Sequence, residues 1–247
     1  KFVVWPGTAV PAASDQPQLP NTEELLKEAD LLAAQYDYDG AIEKVKSYGE
    51  TYAEREELVK AIEDYEATKA TLVKADISEI PHVFFHTLVN DPAKVFDGDY
   101  KEADYNQVMT TVDEFQKILE QMYARGFVMV SVHDMAQMVP QADGTEKMTA
   151  GTILLPPGKK PFIMSQDDVS YYEYMMDDGY PTRLVVDESG RIVNEIEKSD
   201  GTVERGAFDL VPILDQFVEE HPDFSYRGRK AIIALTGYNG ILGYRTS

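Results

Sequence analysis

Asp167 and Asp168 stand side by side just beyond the apolar run Pro161-Phe162-Ile163-Met164-Ser165, with only Gln166 between. A run of that composition predicts a buried β-strand, and where a strand ends successive side chains leave on different sides. Two adjacent carboxylates can therefore take two roles on one site, one holding a metal and the other acting as base. The competing reading makes Asp168 the cap of a helix through Tyr171, Tyr172 and Tyr174. Asp177-Asp178-Gly179 is a second acidic pair, but Tyr180-Pro181 behind it marks a turn.

The four histidines divide by context. His82 and His86 have the i, i+4 spacing that would share an ion on a helix, yet Pro81 to Val89 reads as strand, where four residues span about 13 Å. His86, nearer the carboxyl end, is the site candidate, and His82 is structural. His133 reads as a helix-start residue and His221 as a cap. With no cysteine in the chain, disulfides, thiolate nucleophiles and Cys-based zinc sites are excluded, and any metal must be held by His, Asp and Glu. Tyr171, Tyr172 and Tyr174 could stack on sugar rings or fill a core.

The elements that must position these residues follow from periodicity. Residues 1–20, with Pro6, Pro11, Pro17 and Pro20, favour an extended linker. Residues 21–77 predict a small acidic all-α bundle. Leu25, Ala29 and Leu32 share one helical face, Ala41, Ile42, Val45 and Tyr48 a second, and Leu58, Ile62, Tyr65 and Leu72 a third. Leu31 to Glu43 resembles a tetratricopeptide hairpin, and the bundle is either a spacer with a solvated acidic face or the contact for a protein partner. From residue 78 to 247 the texture alternates. Strands are predicted over 81–89, 127–132, 161–165 and 231–235, a hairpin around Asp187-Glu188-Ser189-Gly190, and helices over 105–125 and 208–220. That order implies an α/β domain with a mostly parallel sheet, whose chemistry sits at the carboxyl ends of its strands.

Charge narrows the partners. The 44 acidic and 23 basic residues give a net charge of −21, which repels phosphate backbones and excludes nucleic acid. Anionic membranes are disfavoured for the same reason, and no apolar run approaches the roughly 20 residues needed for membrane insertion. The start at Lys1 instead of Met suggests that an upstream segment has been removed, and the end at Ser247, soon after a strand-like run, reads as a cut within a domain.

Three blocks in order resemble the NodB-like polysaccharide deacetylases, carbohydrate esterase family four. Pro81 to Thr87 resembles the opening P-V-L-x-Y-H strand, with Phe85-His86 standing for Tyr-His. Val112 to Leu119, continuing through Gly126-Phe127 to Val132, resembles the helix and strand found next. Pro161 to Val169 resembles the strand ending in T-F-D-D-G, although Ser165-Gln166 replaces Thr-Phe and Val169 replaces the glycine. Residues 180–205 look like an insertion.

The resemblance implies a distorted (β/α) barrel-like deacetylase domain, incomplete in this chain, behind the all-α domain. It implies a metal-dependent hydrolase that removes N-acetyl groups from a polysaccharide, peptidoglycan or a chitin-like glycan, outside a bacterial cell or at its surface. Asp167 is then the general base and Asp168 a metal ligand, while His86, Tyr171 and Tyr172 are the candidates for touching substrate. Zinc suits a carboxylate-histidine site, and cobalt, nickel or manganese fit similar ligands. The family completes its site with two histidines of a later S/T-H-x-x-x-H motif. No such motif follows Asp168 here, so the remaining ligands are expected beyond Ser247. The rival expectations are a catalytically degenerate carbohydrate-binding or cell-surface scaffold protein, and a metal-dependent hydrolase of esters or phosphates.

Overall fold

The computed structural model describes residues 21–245, so the linker expected over residues 1–20 lies outside the described part. Helix α1 (Thr22–Ala34) is started by Asn21, whose side-chain oxygen accepts from the Glu23 amide, and Glu23 and Glu24 occupy its electropositive first turn. Helix α2 (Tyr38–Lys46) is capped by Asp37, and a β-carbon at Gly40 would lie 2.4 Å from an Asp37 carboxylate oxygen. Helix α3 (Glu56–Lys69) turns Leu58, Ile62 and Tyr65 inward. Ala29, Ala41, Val45 and Leu58 have no exposed surface, and the two alanines leave room for α1 and α2 to pack closely.

The chain continues through β1 (Val73–Lys74), β2 (His82–Phe85), α4 (Pro92–Val95), α5 (Glu102–Val108), α6 (Val112–Ala124), β3 (Phe127–Met129) and α7 (Val132–Met135). Three sequence expectations change here. The helix predicted over 105–125 is two helices, because Thr111 and Glu114 form a capping box that starts α6 afresh. The strand predicted over 81–89 keeps its ladder only as far as Phe85; beyond it the Leu88 amide turns to the Asp209 carboxylate and Val89 makes an isolated bridge to Thr111. The strand predicted over 127–132 stops at Met129, since Ser131 caps α7 and puts His133 in its first turn.

The turn-rich stretch that follows holds a hairpin of β4 (Ala136–Pro140) and β5 (Glu146–Ala150), then β6 (Leu154–Leu155) antiparallel to β1. After β7 (Lys160–Gln166), the predicted hairpin appears as β8 (Arg183–Val186) and β9 (Ile192–Glu197), and β10 (Val203–Gly206) extends it to three antiparallel strands. Helix α8 (Leu210–Glu220) ends at His221, its C-cap, and β11 (Ile232–Ile233) is the last strand.

β7 is the centre of a four-stranded parallel sheet. β2 lies along one edge, His82 opposite Ile163 and Phe85 opposite Gln166, while β3 and then β11 share the other edge. Alternation along β7 sends Phe162 and Met164 into a core with Phe115 and Leu119 of α6 and Leu210 and Leu214 of α8. Ile163 points the other way, into a core shared with Val128, Val130 and the three N-terminal helices. Across that contact Tyr36 Oη donates to the Asp223 carbonyl at 2.7 Å and the Arg227 amide to the Gln35 carbonyl at 2.8 Å. The fold is mixed α/β, with eight α-helices, several sheets and no closed barrel among the described residues.

Candidate functional site

β2 and β7 end side by side, so His86 and the Asp167-Asp168 pair emerge together. The Asp167 amide still donates to the Phe85 carbonyl at 2.7 Å, and there the ladder stops. Asp168 takes a left-handed backbone, φ 55°, and so does Tyr171, φ 51°. Aspartate tolerates that region. For a bulky tyrosine it costs on the order of 1–3 kcal/mol and must be held by its surroundings. The helix that Asp168 might have capped does not form, and the 3₁₀ turn Glu173–Met175 has no side-chain cap. Among the described residues neither carboxylate accepts from a backbone amide.

The two acids then face different ways. Asp168 Oδ2 lies 3.9 Å from His86 Nδ1. Both line a cleft of about 180 Å³ whose walls include Val108, Met109, Tyr172 and Tyr174. Asp167 is half-buried and outside that wall: its Oδ1 accepts from Ser165 Oγ at 2.9 Å. Ser165 Oγ is in turn 2.9 Å from His82 Nε2. The single hydroxyl hydrogen is given to Asp167, so His82 Nε2 carries the proton it donates to Ser165. His82, Phe84 and His86 alternate onto the same side of β2, with ring centroids 6.3 Å apart at each step.

Nitrogen and oxygen ligands sit at about 2.0–2.2 Å from a zinc-like ion. A pair 3.9 Å apart can therefore share one ion, and Asp168 with His86 fits half of a four-coordinate set. No group of three His, Asp or Glu that could hold a metal occurs among the described residues.

The tyrosines separate sharply. Tyr171, expected to touch substrate, is 1% exposed and has no surface to offer a ligand. Its hydroxyl donates to Asp209 Oδ2 at 2.7 Å and accepts from Asn194 Nδ2 at 3.0 Å. Burial, then the neighbouring Asp209, holds that phenol well above its ordinary pKa, so it keeps the proton it donates. Tyr172 and Tyr174 do reach the cleft, with rings stacked at 5.3 Å and 9° between planes. Tyr238, from the loop after β11, lies 6.1 Å from Tyr172 and extends the aromatic shelf.

Asp209, which sequence reasoning did not single out, sits beneath the site with no exposed surface. Its Oδ1 accepts from the amides of Leu88 at 2.9 Å and Leu210 at 2.8 Å. Its Oδ2 accepts from Gln166 Nε2 and Tyr171 Oη, both at 2.7 Å. Burial pushes this carboxyl above the ordinary carboxylate value, while the four donors pull it down. The available signal was its place ahead of the Leu-rich stretch of α8, which reads as an ordinary exposed cap. A larger groove, about 590 Å³, runs between α2 and α3, but its Asp39 and Lys69 pair with each other and no strand end reaches it. No family model matches the chain, and no curated protein or solved structure matches it either.

Proposed function

We propose that this protein is a metal-dependent hydrolase that removes N-acetyl groups from a polysaccharide, peptidoglycan or a chitin-like glycan, outside the cell or at its surface. The observation that carries the reading is Asp168 facing His86 across 3.9 Å where parallel strands β2 and β7 end together, in a cleft walled by Tyr172 and Tyr174. The parallel sheet would be the N-terminal part of a barrel-like deacetylase domain. Asp168 and His86 would hold a divalent ion, zinc or a metal of similar ligand taste, together with ligands from water or from outside residues 21–245. Such an ion, when bound, lowers the pKa of water and polarises an amide carbonyl. Asp167, next in the chain to Asp168, would take the proton as general base, for which its carboxylate has to turn from Ser165 towards the cleft. Tyr172 and Tyr174 offer flat apolar faces to a pyranose ring. Water cleaves the amide, and the products are acetate and a free amine.

The test is acetate release from N-acetylglucosamine oligomers with zinc present. Asp167→Asn and Asp168→Ala should each lower the rate by about 10²-fold or more. Full activity in Asp168→Ala would end the assignment. A second reading, a catalytically degenerate carbohydrate-binding or scaffold protein, draws on the aromatic shelf alone, which needs no metal. Oligosaccharide binding without acetate release, lost in Tyr174→Ala and kept in Asp168→Ala, would select it.

A further inference from the structure

We propose that Asp209 is a positioning residue that sets the separation of His86 and Asp168, although it has no place in the cleft itself. The connectivity is what points to it. Oδ1 holds the amide of Leu88, two residues beyond His86, and Oδ2 holds Gln166 and Tyr171, two residues before and three residues after Asp168. One buried carboxylate thus ties the exit of β2 to both ends of the turn that leaves β7. The remaining contact, from the Leu210 amide, anchors it to the start of α8.

The turn needs such an anchor. Asp168 and Tyr171 are both left-handed, and a strained backbone persists only where its surroundings over-determine it. Asn194 of β9 extends the clamp, donating to Tyr171 Oη and accepting from the Phe208 amide at 3.3 Å. The antiparallel sheet β8–β10 therefore supports the cleft from behind. All four partners of Asp209 donate, so the site is built for an acceptor with no hydrogen of its own, and asparagine puts an N–H group among these donors unless Gln166 turns its amide to accept it.

The test does not require that the chain be a deacetylase. In the full chain with ¹⁵N-labelled histidine, Asp209→Asn should shift the His86 ring resonances and leave those of His133 and His221 in place. In the uniformly ¹⁵N-labelled chain the Leu88 amide should exchange roughly 10-fold faster, as exchange of a charged acceptor for a neutral one implies. A folded Asp209→Asn protein with unchanged His86 and Leu88 signals would overturn the proposal. Should Asp209→Asn not fold, Tyr171→Phe removes one arm of the clamp, and an unmoved His86 ring there would overturn it equally. If acetate release is established, Asp209→Asn should lower kcat by about 10- to 100-fold with KM little changed, as outer-shell substitutions do. The spectra stand without that activity, so failure of the clamp and failure of the deacetylase reading give different results.

Discussion

Removing the hydroxyl of Tyr171 leaves Asp209 Oδ2 with one donor instead of two and takes from Asn194 Nδ2 its acceptor, all in a place water does not reach. Groups left unpaired in such a setting cost about 1–3 kcal/mol. Tyr171→Phe should therefore lower the urea midpoint with an unchanged m-value. Tyr172→Phe, whose hydroxyl only approaches Thr236 at 3.4 Å near the surface, should stay within about 0.5 kcal/mol of the parent. Equal midpoints for the two variants would remove the buried network from the account. Nothing local distinguishes these neighbouring tyrosines in the sequence. Their fates are set by Asn194 and Asp209, 23 and 38 residues further on. Asp167 and Asp168 were visible because an apolar run delivers them. That they turn to different partners was not, because it depends on Ser165 and His82 lying alongside.

At the scale of elements, α6 makes its start through Thr111 and Glu114, each side chain satisfying a backbone amide near the other. Thr111→Ala should cost about 1 kcal/mol, the usual loss for such a cap, measured by urea unfolding near neutral pH. The Thr111 amide, then its hydroxyl, holds the Glu114 carboxyl below its ordinary value of 4.5. Because the folded value is depressed, the stabilisation is present in full above the unfolded value and disappears as pH falls through the folded one. Glu114→Gln should accordingly be less stable than the parent at neutral pH and converge with it in acid. A gap that persists at low pH would mean that packing, not charge, explains it. The same box shows why one long helix was expected over 105–125. Val108 keeps the apolar spacing of α6, yet it is 54% exposed and lines the cleft beside His86. Its side chain belongs to the site's pattern and not to the core's, and periodicity alone does not separate the two.

For the whole molecule, alternation of strands and helices was enough to read a parallel sheet, since each buried run carries its own signature. The contact of the N-terminal helices with that sheet was not readable, because an amphipathic face announces burial without naming what it is buried against. Leu25, Ala29 and Val45 share one core with Val128, Val130 and Ile163, so far-UV dichroism and sheet methyl resonances should report a single coincident urea transition. Separate transitions would mean that the shared core is weak. Against this cohesion stands the net charge of −21. Exposed ion pairs such as Lys60–Asp64 contribute little and weaken with salt. Self-repulsion among the excess carboxylates weakens as well, and a Debye length of about 10 Å at 0.1 M salt reaches across several of them at once. With acids outnumbering bases 44 to 23, the repulsive sum is the larger, so raising sodium chloride from about 0.01 M to about 0.1 M should increase the urea midpoint. A midpoint that falls over that range would show that the pairs, and not the excess, govern the balance.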